Sequence, residues 1–186
     1  MRITGGKARG IPLASPKGDA TRPATDQLRE AVFSSLGARI EGAQVADLFA
    51  GTGAYGLEAM SRGAIGGIFV ENSPEVVASL KKNLAAVSKS CASNPADWRL
   101  LAQKIYTIPP GLGPFEIVFM DPPYPMIEAR IPKIFAQHID RIVAPDGLLC
   151  FEMPGHLELE LKGWSIKRRI GKTGRDKPSA VFYQRI

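Results

Sequence analysis

Asp47-Leu48-Phe49-Ala50-Gly51-Thr52-Gly53-Ala54-Tyr55-Gly56-Leu57-Glu58 is the stretch on which the fold turns. Before it, Gln44–Ala50 reads as an apolar strand; within it, a helix starts and runs over Tyr55–Arg62, so the glycines occupy a strand-to-helix turn. Gly51, Gly53 and Gly56 spell G-x-G-x-x-G, and Glu71 closes the next apolar strand, Gly67–Glu71, twenty residues after Gly51. Glycine tolerates a tight turn and lets a ligand approach the backbone closely. An acid at the end of the second strand can accept both hydroxyls of a ribose. The pattern by itself suits NAD or FAD as well as any other adenosine cofactor.

Outward from this stretch, strands and helices alternate. Pro74 starts a helix whose Val76, Leu80, Leu84 and Val87 share one face. Trp98–Gln103 and Phe115–Asp121 read as the third and fourth strands, a helix spans Ile127–Val143, and Gly147–Met153 is the fifth strand. Strand-like segments at Trp164–Ile170 and Ser179–Ile186 close the chain, separated only by a loop, which predicts an antiparallel pair at one side. Upstream, residues 1–24 are rich in Gly, Pro and Arg and read as a hairpin or irregular arm. Thr25 then reads as the N-cap of a helix over Asp26–Ile40, with Leu28, Val32, Phe33 and Leu36 at helical spacing. The order predicts an α/β, Rossmann-like single domain, with a mostly parallel sheet covered on both faces and ligands at the C-terminal ends of its strands.

At one of those ends stands Val118-Phe119-Met120-Asp121-Pro122-Pro123-Tyr124. Two consecutive prolines remove two backbone donors, so the chain leaves the sheet there. What remains is a rigid loop of acceptors, the Asp121 side chain and the Asp121 and Pro122 carbonyls, beside the aromatic face of Tyr124. Such a surface suits a nucleobase held by its exocyclic amine. A strand-terminating turn with a surface tyrosine is the plain alternative.

Two features choose among cofactors. Asp47 lies inside the strand that feeds the glycine turn, where a carboxylate suits an ammonium group or an ordered water better than a pyrophosphate. A dehydrogenase usually needs a further substrate domain, for which 186 residues leave no room. S-adenosylmethionine fits both. A purely structural Asp47, capping the amides of its own loop, stays open at this stage.

Charge is unevenly spread. Residues 1–40 carry seven Lys or Arg against three acids and residues 162–186 eight against one, while residues 41–161 carry nine against fourteen. Basic ends around an acidic body predict a phosphate-binding surface beside a separate catalytic centre. No apolar run opens the chain and no stretch reaches the roughly 20 apolar residues of a membrane span. Cys91, Cys150, His138 and His156 match no metal-ligand spacing, so no metal site is expected and a reducing cytoplasm fits best.

With these motifs in view, the chain resembles a class I methyltransferase carrying an Asp-Pro-Pro-Tyr motif, and in particular the RsmD-type 16S rRNA guanine-N2 methyltransferases. The resemblance covers essentially the whole length. It runs through Arg2-Ile3-Thr4-Gly5-Gly6, Arg9-Gly10, Arg22-Pro23, Thr25-Asp26, Arg29–Phe33, the Asp47–Glu58 loop, Ser61–Ala64, Phe69–Glu71, Asp121–Tyr124 and Gly171-Lys172. Asp-Pro-Pro-Tyr is shared with enzymes that methylate adenine N6 or cytosine N4, and the N-terminal arm narrows the match. Two positions depart from the family pattern: Ala24 replaces a threonine, and Gln103 stands where an acid usually lies near the adenine ring.

The resemblance implies a seven-stranded sheet with an antiparallel C-terminal strand and an N-terminal hairpin arm. It also implies methyl transfer from S-adenosylmethionine to the N2 amine of a guanine in 16S rRNA of the small subunit or its assembly intermediate. Asp121, Pro122, Pro123 and Tyr124 would form the catalytic loop. Asp47, Phe49, Ala50, Gly51, Thr52, Gly53, Glu71, Asn72 and Gln103 would hold the cofactor, and Arg2, Lys7, Arg9, Arg22, Lys172, Arg175 and Lys177 would meet RNA phosphates. Glu58 is assigned to its helix N-terminus, His138 to a structural or solvated position, and Trp98 and Trp164 to packing. A small enzyme on a very large substrate is expected to act as a monomer. The competing readings are an adenine-N6 amino-methyltransferase on RNA or DNA and a non-catalytic RNA-binding assembly factor.

Overall fold

The computed structural model describes residues 1–16, 26–174 and 177–186. Seven strands form one sheet: β1 (Gln44–Leu48), β2 (Gly66–Glu71), β3 (Trp98–Ala102), β4 (Phe115–Met120), β5 (Val143–Pro154), β6 (Trp164–Gly171) and β7 (Pro178–Arg185), in the order β3-β2-β1-β4-β5-β7-β6. β1 to β5 are parallel to one another, while β7 runs antiparallel to both β5 and β6. The chain leaves β1 first toward β2 and later returns to pair β4 on its other side. That makes the gap between the ends of β1 and β4 the switch point at which open sheets bind ligands.

Side chains alternate along the strands, and both faces are apolar. In β4, Ile117 and Phe119 join one core while Val118 and Met120 join the other. The first core is covered by α1 (Asp26–Leu36), α2 (Ala54–Ser61) and α3 (Pro74–Cys91), the second chiefly by α4 (Tyr124–Ile134) and the turns that follow it. α1 ends at Leu36, and a 3-10 turn, Gly37–Ile40, completes the segment expected as one helix. The N-cap assigned to Thr25 lies outside the described residues.

α4 begins three residues earlier than its apolar periodicity suggested, because Pro123 precedes it and Pro125 falls in its first turn, where a missing N–H costs nothing. Pro132 does cost a hydrogen bond, and the helix gives way to a wide π-type turn over Phe135–Ile139 and a 3-10 turn over Asp140–Ile142. In α3 the buried row is Val77, Leu80, Asn83, Val87 and Cys91, so a polar Asn83 sits where an unbroken apolar stripe was expected. Trp98 and Trp164 are buried, in line with packing roles.

The N-terminal arm is hairpin-like without regular strands. Arg2 bridges Pro12, and the N–H groups of Ile3 and Gly10 donate to the carbonyls of Ile11 and Ile3. Ile3, Ala8 and Leu13 point into the first core, which turns Arg2, Lys7 and Arg9 outward. Glu58 is the clasp that holds the arm. Fully buried on α2, it accepts from the Thr4 N–H and hydroxyl and the Gly5 N–H, each at 2.8 Å, and from Arg62 at 2.8 Å and Arg29 at 3.3 Å. This corrects the assignment of Glu58 to its helix terminus. A charge one turn inside a buried helix is tolerated only when its lone pairs are filled, and the arm fills them.

Candidate active site

β1 delivers Asp47 and then the turn. Phe49 takes a positive φ of 61°, a conformation that strains any side chain with a Cβ, and Gly51 follows at 56°. A Cβ built on Gly51 would meet nothing within 4 Å, so this glycine leaves open space beside the backbone. Gly53 and Gly56 differ from it. A Cβ on Gly53 would lie 2.3 Å from Leu80 of α3, and one on Gly56 2.3 Å from Phe69 of β2. They are glycines because helices and strand press against them, and ligand approach falls to Gly51. Thr52 is buried and its carbonyl accepts from the Asn83 amide at 3.0 Å; Ala50 is buried and donates to Val70.

Glu71 ties the turn to the second strand. One carboxylate oxygen accepts the Gly51 N–H at 2.9 Å and the other accepts the N–H groups of Asn72 and Ser73 at 2.8 and 2.9 Å, opening α3. Beside it a cavity of about 280 Å³ is lined by Phe49, Glu71, Asn72, Gln103 and Pro123, and also by Lys104, Ile105, Tyr106, Met126 and Arg130. Gln103 spends its amide nitrogen on the Thr107 carbonyl at 2.9 Å, which turns its oxygen to the acceptor role expected of the family's acid. The second group of lining residues carried no motif. Ile105 and Tyr106 come to the cavity through a short 3-10 turn, and Met126 and Arg130 through the early start of α4.

Asn83 was also missed. Besides holding Thr52, it donates to the Ala14 carbonyl at 2.9 Å and accepts the Ala14 N–H at 2.8 Å, so one buried side chain links the arm to the glycine turn. A lone polar residue in an apolar helix face was its only signal in the sequence.

Asp121 follows β4 directly, and its N–H reaches toward the Leu48 carbonyl at 3.5 Å, joining the ends of β4 and β1. Pro122 is buried and Pro123 exposed. Tyr124 is half-buried, opens α4 and packs its ring partly against the second core. Pro123 of this loop and Glu71 line the same cavity, while Asp121 lies at the end of β4 beside β1 and is not among the cavity's lining residues.

The electrostatics of this end are unusual. Burial pushes the Asp47 carboxyl up to about 8, with Glu71 adding to the rise and the hydrogen bond from the Gly56 N–H at 2.8 Å opposing it. Burial also lifts Asp121 well above the carboxylate range, helped by Glu152 and Asp47. The Gly56 bond realises the structural alternative for Asp47 and still leaves a site whose acids lack cations. A cation entering such a site draws these carboxyls into their ionised form, which a pyrophosphate would oppose, so the site suits a cation. Together with the open space at Gly51 and the pocket at Glu71, the residues fit an adenosine cofactor that bears positive charge.

A proton-linked affinity follows. A cation entering the site lowers the proton affinity of these acids, so binding releases protons and affinity rises with pH between roughly 6 and 8. Isothermal titration with S-adenosylmethionine in two buffers of different ionisation heat measures this directly. Equal heats and a flat affinity would show that the acids hold no protons to release.

Of the residues expected to meet phosphates, Arg2, Lys7, Arg9, Lys172 and Lys177 are all exposed; Arg22 and Arg175 lie outside the described residues, as does Ala24. Gly155, just beyond β5, donates to the Lys177 carbonyl at 2.8 Å, and a Cβ on it would lie 2.1 Å from the Lys172 carbonyl. Lys172 and Lys177 therefore pack their backbone on the segment just after β5, while the arm reaches the glycine turn after β1 through Ala14 and Asn83.

Over residues 1–179 the sequence matches the family described as Conserved hypothetical protein 95. It is 43% identical over 126 residues to Ribosomal RNA small subunit methyltransferase D of Escherichia coli K12, a stretch that makes up 67% of this chain and 60% of that protein. The chain therefore spans about three-fifths of the length of that relative. YlbH of Bacillus subtilis, provisionally named an rRNA methyltransferase, is 33% identical over 162 residues, 86% of this chain and 85% of YlbH. The solved structure of the Escherichia coli yhhF protein, provisionally described as a methyltransferase, superposes with a TM-score of 0.79 at 32% identity, covering 100% of this chain and 97% of that one.

Proposed function

This chain belongs to the RsmD-type methyltransferase family described as Conserved hypothetical protein 95, and from that premise we propose that it methylates the N2 amine of a guanine in 16S rRNA, using S-adenosylmethionine. The observation that carries the reading is the meeting of two loops at the ends of adjacent strands: the Gly51 turn tied to Glu71, and Asp121-Pro122-Pro123-Tyr124 tied to Leu48.

When bound, the cofactor supplies a methyl group on a positively charged sulfur, electrophilic without a metal. Glu71 has lone pairs beyond those given to Gly51, Asn72 and Ser73 with which to accept ribose hydroxyls, and the Gln103 oxygen can accept the adenine amine. Asp47, buried behind the turn, offers a carboxyl that ionises as positive charge enters the site. The guanine amine is a poor nucleophile because its lone pair is delocalised into the ring. The Asp121 side chain and the Pro122 carbonyl, as two acceptors for its hydrogens, favour a pyramidal nitrogen with the lone pair released toward the methyl group. Two prolines keep those acceptors in place, so much of the acceleration comes from positioning. Tyr124 offers a face on which the base stacks once it is turned out from its neighbours. After transfer the extra proton on N2 passes to Asp121 or water.

Arg2, Lys7, Arg9, Lys172 and Lys177, with Arg22 and Arg175, form the phosphate-binding surface of this reading. The enzyme acts as a single-domain monomer in the cytoplasm on the small subunit or its assembly intermediate. The test uses methyl-labelled S-adenosylmethionine with small-subunit particles from cells lacking the enzyme, naked rRNA and duplex DNA in parallel, and nucleoside analysis of the product. Label in N2-methylguanosine is the expected result. Label in N6-methyladenine would move the substrate, and tight cofactor binding without label would make the chain an assembly factor.

A further inference from the structure

Glu152 belongs to none of the motifs, yet it stands beside the proposed catalytic acid. β4 and β5 are parallel neighbours in which Met120 pairs with Phe151, so the next residue on each, Asp121 and Glu152, comes side by side at the strand ends. Met120 and Phe151 both enter the second core. By alternation, Asp121 and Glu152 turn to the opposite face, the side of Phe119 and Cys150. There Glu152 is 3% exposed and accepts the Tyr55 hydroxyl at 2.8 Å. Tyr55 is itself pinned by its ring, stacked on Phe119 at 5.1 Å between centroids and against Phe33 at 6.3 Å. A buried glutamate this firmly held, one strand from the acceptor the reaction uses, is not accounted for by packing.

Resting on the function proposed above, we propose that Glu152 is a positioning residue for Asp121: fixed by Tyr55 on the neighbouring strand, its negative charge keeps a proton on Asp121 in the free enzyme, and positive charge entering the site releases that proton and turns Asp121 into the amine's acceptor. The balance is simple. The Asp121 O–H proton goes to solvent as the cationic cofactor binds. After methyl transfer the N2–H bond breaks and its proton goes to the vacated Asp121 oxygen.

The groups around the pair agree. Facing Asp121 are Asp47 from β1, Glu152 and Cys150 from β5, and Tyr55 from α2; Arg29 of α1 is the cation that Glu152 feels. Burial raises Glu152 to about 7, while the Tyr55 hydroxyl and Arg29 favour its ionised form. Asp121 has burial and two neighbouring carboxylates pushing it up, while Glu152 has Tyr55 and Arg29 favouring its ionised form, so the pair holds its shared proton more readily on Asp121. Arg29 is fully buried, and among the described residues its Nη1 has no hydrogen-bond partner, which leaves a donor on the same side of the sheet.

The experiment compares wild type, Glu152→Gln and Asp121→Asn. Removing the neighbouring charge lowers the proton affinity of Asp121, so the acid limb of the rate against pH moves at least about one pH unit lower in Glu152→Gln. A merely structural glutamate would depress the rate with the midpoint unmoved. The second readout needs neither turnover nor the Glu152 variant to fold: the infrared band of protonated carboxyl groups in the ligand-free wild type. At neutral pH that band contains an Asp121 component, absent in Asp121→Asn and reduced on adding S-adenosylmethionine. An unmoved acid limb, or a wild-type band identical to that of Asp121→Asn, overturns the proposal. Absence of N2-methylguanosine from the particle assay would instead strike the function, and the infrared result would stand apart from it.

Discussion

Asp121→Ala lowers the proposed methyl transfer by about 10²–10³-fold or more while changing cofactor affinity by less than about tenfold. The asymmetry comes from where Asp121 sits. Glu71, Gly51, Asn72 and Gln103, the groups arranged for the cofactor, belong to β2 and to the turns after β1, β2 and β3, and their side-chain hydrogen bonds run to one another and to Ser73 and Thr107. Asp121 follows β4, held by its own N–H to the Leu48 carbonyl and by the two prolines after it, with the buried acids Asp47 and Glu152 as neighbours. Truncation therefore leaves the cofactor groups in place and removes the stronger of the two acceptors for the amine, so the nitrogen lone pair stays in the ring. Single-turnover rates and equilibrium binding on the same variant separate the two effects, and near-normal turnover would remove Asp121 from the reaction.

Glu58→Ala destabilises the protein by about 3–5 kcal/mol, the range for stripping one partner from a buried ion pair. Five donors lose their acceptor at once, and among the described residues the guanidinium of fully buried Arg29 keeps Asp26 and the Arg2 carbonyl. The melting temperature falls by roughly 10 °C or more. The arm also comes away, because the Thr4 and Gly5 contacts are its central attachment to α2. Limited trypsin digestion at Lys7 and Arg9 then precedes global unfolding. Glu58→Gln, which keeps the acceptor oxygen and loses the charge, falls between. A melting temperature within about 2 °C of wild type, with the arm still protected, would show that the clasp carries no weight.

Five parallel strands and their helices were legible because each is short, apolar and bounded by a glycine, a proline or an acid. Asp121-Pro122-Pro123-Tyr124 and the Gly51 turn were legible for the same local reason, since prolines and glycines constrain the backbone wherever they occur. The start of α4 was misjudged because Pro123 and Pro125 look like loop residues although a helix accepts them in its first turn.

What local pattern determined, then, is the sheet, its switch point and the two loops that meet there. Tertiary structure alone decided the roles of Glu58, Asn83, Glu152 and Arg29. Each is a polar residue in an otherwise apolar helix or strand, and its meaning depends on a partner far along the chain: Glu58 on Thr4, Asn83 on Ala14, Glu152 on Tyr55. A buried charge or amide is stable only where its partner arrives, and no periodicity encodes that arrival. The same holds for the three acids at the strand ends. Asp47, Asp121 and Glu152 are ordinary carboxylates in sequence, and become a cluster of acids whose proton affinity burial raises only because β1, β4 and β5 lie side by side in an apolar interior.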